Sequence, residues 1–155
     1  MTVWELLWRP PDNERIDFLL GFKCDFGCDQ REQMTMDTEL TEEQEQVLFA
    51  DWLRAKQIRF TASANGGSRH VIEAKKLKRM GISAGFPDIE IPYPRGPYHG
   101  LYIELKRKVR SKLSPEQIDW LSFLEGQGYY VACAKGFDCA KQVVLDYFAA
   151  FKDRD

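Results

Sequence analysis

Two short stretches in the middle of the chain alternate apolar and polar residues with the period of a β-strand. In residues 88–91 two acidic side chains alternate with isoleucine, and in residues 101–106 polar side chains alternate with leucine and isoleucine. This period predicts two strands, each with one buried face. Residues 92–100 between them are rich in proline and glycine, which predicts a turn between antiparallel neighbours. The resulting β-hairpin brings Asp88 near Glu104.

The rest of the readable pattern alternates helices with strands. Thr41 is the expected N-cap of a first helix, Gly81 the end of a second and Ser114 the N-cap of a third. The other expected elements are a buried stripe at Val47, Leu48, Ala50 and Leu53, strands at 58–63 and 129–134, and helices at 71–80 and 137–148. The sequence therefore predicts an α/β fold, a mixed β-sheet flanked by α-helices.

The chemistry of the hairpin points to a metal. Two carboxylates placed together on an apolar scaffold repel each other unless a cation lies between them. Oxygen ligands suit Mg²⁺ or Mn²⁺, and Mg²⁺ typically takes only one or two carboxylates. Lys106 projects from the same face as Glu104 and could orient or deprotonate a metal-bound water, or stabilise charge on a transferring phosphate. The set favours phosphodiester hydrolysis, although an isolated Glu-x-Lys is usually a surface pair.

Charge is distributed unevenly along the 155 residues. The net charge is -2, which alone argues against nucleic-acid binding. Residues 1–45 hold 4 basic and 12 acidic side chains, a net of -8, whereas residues 65–112 hold 11 basic and 4 acidic, a net of +7. Because salt screens distant charges, the local excess decides attraction to phosphate. The basic charge surrounds the hairpin.

Several motifs in order resemble the VRR-NUC family, the virus-type replication-repair nucleases of the PD-(D/E)xK superfamily. They are Asn65-Gly66-Gly67, Gly81-x-x-x-Gly85-x-Pro87-Asp88, Glu104-x-Lys106 and Leu113-Ser114-x-x-Gln117. The resemblance implies a restriction-endonuclease-like core and an endonuclease that acts on DNA with Mg²⁺, for which Mn²⁺ can substitute. A non-catalytic nucleic-acid-binding module and a structural protein with a metal-stabilised acidic cluster are the alternatives.

The resemblance also assigns roles to residues. Metal ligands are expected at Asp88, Glu104, the Leu105 carbonyl and an acidic residue at the start of the first helix. Glu42 is the expected acid, and Glu45, three residues on, is its competitor. Lys106 would assist the attacking water, and Gln117 would be auxiliary, although a capping box alone explains it. The expected DNA contacts are Asn65, Arg69, Arg107, Lys108 and Arg110.

We expect two parts in the chain. Residues 39–155 form the nuclease domain, and residues 1–38 form an extension that packs on the core or on a partner subunit. The resemblance implies a homodimer acting on branched or junction DNA such as a Holliday junction. Because no apolar run has the length of a signal peptide or membrane span, we expect an intracellular, cytoplasmic protein of bacterial or phage type without membrane contact.

Overall fold

The protein is described here by a computed structural model that covers residues 40–63, 71–108 and 111–150. These residues form four helices and four strands. In chain order they are α1 (Glu42–Ala55), β1 (Thr61–Ala62), α2 (Val71–Arg79), β2 (Ile89–Ile91), β3 (Leu101–Lys106), α3 (Pro115–Gly126), β4 (Tyr130–Lys135) and α4 (Gly136–Ala150). In the part of the chain that is described, no helix has the length and apolar character needed to cross a membrane. The predicted extension at 1–38 lies outside the described residues.

The strands form one mixed sheet in the order β1-β2-β3-β4. The pairs β1–β2 and β2–β3 are antiparallel, and β4 runs parallel to β3. A parallel neighbour needs a crossover connection, which α3 provides between β3 and β4. The predicted fold class, a mixed sheet flanked by helices, is confirmed.

Helices cover both faces of the central strand β3. On one face, α1 and α4 pack on a cluster that includes Phe49, Ile103 and Tyr147. On the other, α3 packs on β4 through a second cluster that includes Tyr102 and Leu121. Every residue of β3 is therefore buried. The prediction of one solvated face was wrong here, because the alternate residues of β3 lie beneath α3 instead of in water.

Helix α1 starts as predicted but buries a different stripe. The Thr41 hydroxyl accepts a hydrogen bond from the Gln44 N–H, and the Gln44 side chain returns one to the Thr41 N–H. Its buried residues are Glu45, Phe49 and Leu53, spaced four apart, whereas Val47 and Leu48 are exposed. Positions four apart share a helical face, so a buried Glu45 turns Val47 outward. The predicted stripe was correct for Leu53 and wrong for Val47 and Leu48.

The end of α2 and the end of β1 lie next to the start of the hairpin in the chain or in the sheet. Helix α2 ends as predicted at Gly81, whose φ is +92°, and the following Ile82 N–H bonds to the Leu77 carbonyl at 3.1 Å. Strand β1 is shorter than predicted, with only Thr61 and Ala62 paired to β2. The Ser63 N–H still bonds to the Asp88 carbonyl at 2.8 Å, so the end of β1 holds the backbone where β2 begins.

Candidate active site

The register of the hairpin brings two acidic side chains together. Ile89 lies opposite Ile103 in the antiparallel ladder, which leaves Asp88 facing Glu104. The two side chains are 9% and 2% exposed. Asp88 Oδ2 accepts a hydrogen bond from the Leu105 N–H at 2.8 Å. The backbone of β3 therefore fixes the orientation of the carboxylate contributed by β2.

Lys106 supplies positive charge to this pair. Its Nζ donates a hydrogen bond to Glu104 Oε1 at 2.7 Å, and the lysine side chain is 8% exposed. Burial by itself lowers the pKa of Lys106, but the Glu104 hydrogen bond and the charges of Glu104, Glu42 and Asp88 together raise it above its ordinary value. Lys106 is thus held as a cation, suited to donate hydrogen bonds.

One lysine does not neutralise two buried carboxylates. Burial, followed by the charge of Asp88, raises the pKa of Glu104 to about 7. Burial also raises the pKa of Asp88, although the Leu105 N–H and the charge of Lys106 act against this effect. The charge of each carboxylate acts on its neighbour, as the contribution of Asp88 to the raised pKa of Glu104 indicates. The site therefore favours additional positive charge.

Gln117 reaches the site from the start of α3. Its side-chain Oε1 accepts a hydrogen bond from the Ser114 N–H at 2.9 Å. Its backbone N–H donates a hydrogen bond to the Ser114 hydroxyl, which completes the capping box. Its Nε2 donates to Glu104 Oε1. Gln117 therefore uses both ends of its amide, one to cap the helix and one to hold the carboxylate.

The two acidic candidates on α1 have different surroundings. The charge of Glu42 contributes to raising the pKa of Asp88, Glu104 and Lys106, so Glu42 interacts electrostatically with the site. Glu45 Oε2 instead accepts a hydrogen bond from the Phe137 N–H at 2.6 Å. Glu45 is thus engaged by the first turn of α4, and Glu42 is the α1 acid that acts on the pair.

The predicted DNA contacts are only partly described. Asn65, Arg69 and Arg110 lie outside the described residues. Arg107 is exposed directly after β3. Lys108 is also exposed, but its Nζ lies 4.0 Å from Glu45 Oε1 and 3.9 Å from Asp138 Oδ2. Two acidic neighbours reduce the positive potential that Lys108 can offer to a phosphate.

The donor set fits a divalent cation that prefers oxygen. Within the described residues, Glu104 Oε2 is buried without a hydrogen-bond donor. No three His, Cys, Asp or Glu side chains in the described part of the chain form a ready-made metal cluster, so Glu42 does not close a three-carboxylate group with the pair. Mg²⁺ often binds through one or two carboxylates and fills its other positions with water and substrate oxygens. Asp88 and Glu104 are sufficient for that mode of binding.

Comparison with known proteins agrees with this geometry. A sequence model of the VRR-NUC domain family matches residues 31–138, well over half of the chain. The chain belongs to the VRR-NUC family. A solved structure described as a VRR-NUC domain protein is 33% identical in sequence and superposes with a TM-score of 0.64. The match covers 75% of this chain and 93% of that one. No curated protein sequence matches the chain significantly.

Membership of the VRR-NUC family implies nuclease function on DNA, and nucleases of this superfamily generally use divalent metals. The sequence alone did not indicate two contacts that shape the site in this member. One is the bond from the Leu105 N–H to Asp88, which depends on strand register. The other is the packing of Gly85 against the Glu116 backbone, for which the only signal was a glycine before Phe86-Pro87-Asp88.

Proposed function

We propose that this protein is a Mg²⁺-dependent DNA endonuclease whose reacting centre is formed by Asp88, Glu104 and Lys106. The observation that carries the proposal is the buried Asp88–Glu104 pair with the Lys106 ammonium 2.7 Å from one of its oxygens. Structural ion pairs can also perturb pKa values, but a purely structural pair is expected to satisfy its buried oxygens. Glu104 Oε2 is buried without a donor.

Four groups are proposed as ligands of the cation. They are the carboxylates of Asp88 and Glu104, the backbone carbonyl of Leu105 and the carboxylate of Glu42, which would join the set only when a cation draws it to the pair, since it forms no ready-made cluster with them. A divalent ion bound there supplies Lewis-acid stabilisation of negative charge on the scissile phosphate. The residues themselves contribute orientation: the Leu105 N–H fixes Asp88, and Gln117 fixes Glu104. Mn²⁺, which also favours oxygen ligands, is expected to substitute.

Lys106 is proposed to orient the attacking water and to stabilise charge that develops on the phosphate. Its raised pKa keeps the ammonium protonated at neutral pH. A protonated lysine can donate hydrogen bonds but cannot accept the proton of the water. The proton is therefore expected to pass to another acceptor near the site, and Lys106 serves as a fixed positive group.

The basic segment after β3 is proposed to bind the DNA backbone. Arg107 is exposed there, and Asn65, Arg69 and Arg110 are further proposed contacts. Lys108 contributes less to this surface, because Glu45 and Asp138 face its ammonium group. Contacts of this kind position a duplex without reading its sequence. Structure-selective cleavage of branched DNA by a homodimer is proposed on the family resemblance, and gel filtration tests the dimer. The intracellular location stays a prediction from the apolar pattern of the sequence.

The proposal is tested by incubating the protein with supercoiled plasmid, a flap and a four-way junction, each in Mg²⁺, in Mn²⁺ and in EDTA. We expect cleavage with either metal, no cleavage in EDTA, and loss of cleavage in Asp88→Asn. Asp51→Asn makes the same chemical change at an exposed α1 side chain and should cleave normally. Binding without cleavage under all conditions would favour a non-catalytic module. Cleavage in EDTA would contradict the proposed chemistry.

A further inference from the structure

Glu45 is a buried carboxylate with no place in the proposed reaction. Its residue is 4% exposed, although it lies on a helix whose neighbouring acids Glu42 and Glu43 are more open to solvent. An isolated buried carboxylate is costly unless hydrogen bonds or a nearby positive charge compensate it. Glu45 finds both at the first turn of α4, where its Oε2 accepts the Phe137 N–H at 2.6 Å. The partial positive charge of a helix N-terminus favours an anion at this position.

Three segments meet around this carboxylate. Gly136, at the start of α4, has a φ of +77°, and a Cβ added there would lie 2.6 Å from Lys108 Cε and 3.2 Å from Glu45 Oε1. The absence of a side chain at Gly136 therefore leaves room for the Lys108 and Glu45 side chains at the start of α4. Lys108 follows Lys106 by two residues. Glu45 consequently links α1 to the strand that carries Glu104 and Lys106.

From these contacts we propose that Glu45 is a positioning residue that holds Glu42 toward the Asp88–Glu104 pair. Residues three apart on a helix lie on neighbouring parts of one face, about 4.5 Å apart along the axis. Fixing Glu45 against α4 therefore fixes the first turn of α1 and the direction of Glu42. This inference rests on the proposed function, since it assumes that Glu42 helps to hold the cation. Glu45 itself would not touch the ion.

The test measures Mn²⁺ affinity by calorimetry for the wild-type chain, Glu42→Gln, Glu45→Ala and the double variant. Loss of a group that orients a metal ligand typically weakens metal affinity by about 10- to 100-fold. We expect at least a tenfold loss in Glu45→Ala and in Glu42→Gln, and no further loss when the two are combined. Interaction of this kind in a double-mutant cycle is the sign of two residues that act together.

Matched variants separate positioning from general stability. Glu45→Gln keeps an oxygen that can accept the Phe137 N–H, so its Mn²⁺ affinity should remain within about threefold of wild type, well short of the loss from removing an orienting group. Gly136→Ala keeps the carboxylate but obstructs its approach to α4, and should lose affinity as Glu45→Ala does. Gly81→Ala also places alanine at a positive φ, but its Cβ would meet nothing within 4 Å, so affinity should be unchanged. Urea denaturation in EDTA reports whether each variant is folded.

Four results would overturn the inference. Additive losses in the double variant would mean that Glu45 contributes to metal binding independently of Glu42. Unchanged affinity in both Glu45→Ala and Gly136→Ala would make Glu45 a structural contact only. A wild-type protein that cleaves DNA with Mn²⁺ but whose affinity is insensitive to Glu42→Gln would refute this inference and leave the nuclease proposal intact. A wild-type protein that neither binds Mn²⁺ nor cleaves DNA would refute both.

Discussion

The buried Glu104 carboxylate makes the stability of the metal-free protein depend on pH in an unusual direction. Burial and the charge of Asp88 raise the pKa of Glu104 from an ordinary 4.5 to about 7 in the folded chain. As pH rises above 4.5, the unfolded chain releases this proton first, while the folded chain keeps it until about pH 7. The folded state then binds more protons than the unfolded state, so the free energy of unfolding falls as pH rises.

The size of the effect follows from the two pKa values. The difference between about 7 and 4.5, at about 1.4 kcal/mol per pH unit, corresponds to about 3 kcal/mol in total. Most of it, about 2 to 3 kcal/mol, is lost between pH 5 and pH 8. Because Asp88 and Glu104 titrate together, this loss belongs to the pair. It is a large fraction of the 5–15 kcal/mol by which domains are typically stable.

The assay compares urea denaturation of the wild-type chain and Glu104→Gln in EDTA at pH 5, 6, 7 and 8. The substitution keeps the shape of the side chain but removes the group that ionises. Titratable groups outside the Asp88–Glu104 pair are common to both proteins, so the difference between the two pH profiles reports the pair. We expect the wild-type protein to lose about 2 to 3 kcal/mol more than the variant between pH 5 and pH 8. Mg²⁺ should restore wild-type stability at pH 8 and have little effect at pH 5.

Parallel pH profiles for the two proteins would refute this reasoning. They would mean that Glu104 ionises in the folded chain as readily as in water, and that Lys106 alone compensates the pair. A wild-type profile that rises from pH 5 to pH 8 relative to the variant would show that the folded-state pKa of Glu104 is lowered. In that case, the pair would have no electrostatic need for a metal.

Three further substitutions test other parts of the site. Lys106→Ala should reduce cleavage by about 100-fold or more, as removal of a group that stabilises transition-state charge commonly does, and single-turnover kinetics at saturating Mg²⁺ measures the loss. Gln117→Ala should lower the free energy of unfolding by about 1 to 2 kcal/mol, because it removes one of the two capping-box hydrogen bonds and a bond to a carboxylate, and should reduce cleavage less than Lys106→Ala does. Gly85→Ala would put a Cβ 2.5 Å from the Glu116 backbone at a φ of +80°, so thermal and urea denaturation should show a loss of about 3 kcal/mol. Gly81→Ala, strained but uncrowded, should lose only about 1 kcal/mol, and equal losses would contradict the packing argument.

The parts of the fold that depend on neighbouring residues could be predicted from the sequence. Thr41 and Ser114 carry the side chains that a helix start requires, and both form the expected caps. The hairpin followed from alternation and a turn rich in proline and glycine. The juxtaposition of Asp88 and Glu104 then followed from antiparallel pairing, because residues opposite each other share a face.

The parts that depend on distant residues could not be predicted from the residues alone. Glu45 can be buried because the Phe137 N–H, 92 positions away, has no acceptor within its own helix and donates a hydrogen bond to this carboxylate. A pattern of apolar residues predicts that a glutamate such as Glu45 is exposed. The same pattern therefore predicted the wrong face of α1 to be buried, with Val47 inside. The hydrogen bond from Gln117 to Glu104 also joins residues on different elements. Neighbouring residues explain Gln117 as part of a capping box, and only the family resemblance predicted that it lies at the site.

The parallel pairing of β3 with β4 has a consequence for when the site can form during synthesis of the chain. Every side chain proposed for the reaction lies between residues 42 and 117, yet β3 has only one of its two neighbouring strands until residues 130–135 pair with it. The Phe137 N–H that anchors α1 lies later still. A nascent chain could thus carry the whole set of reactive groups well before it could arrange them. The proposed reactive groups are therefore expected to take up their arrangement only after the last strand and helix of the domain have been synthesised.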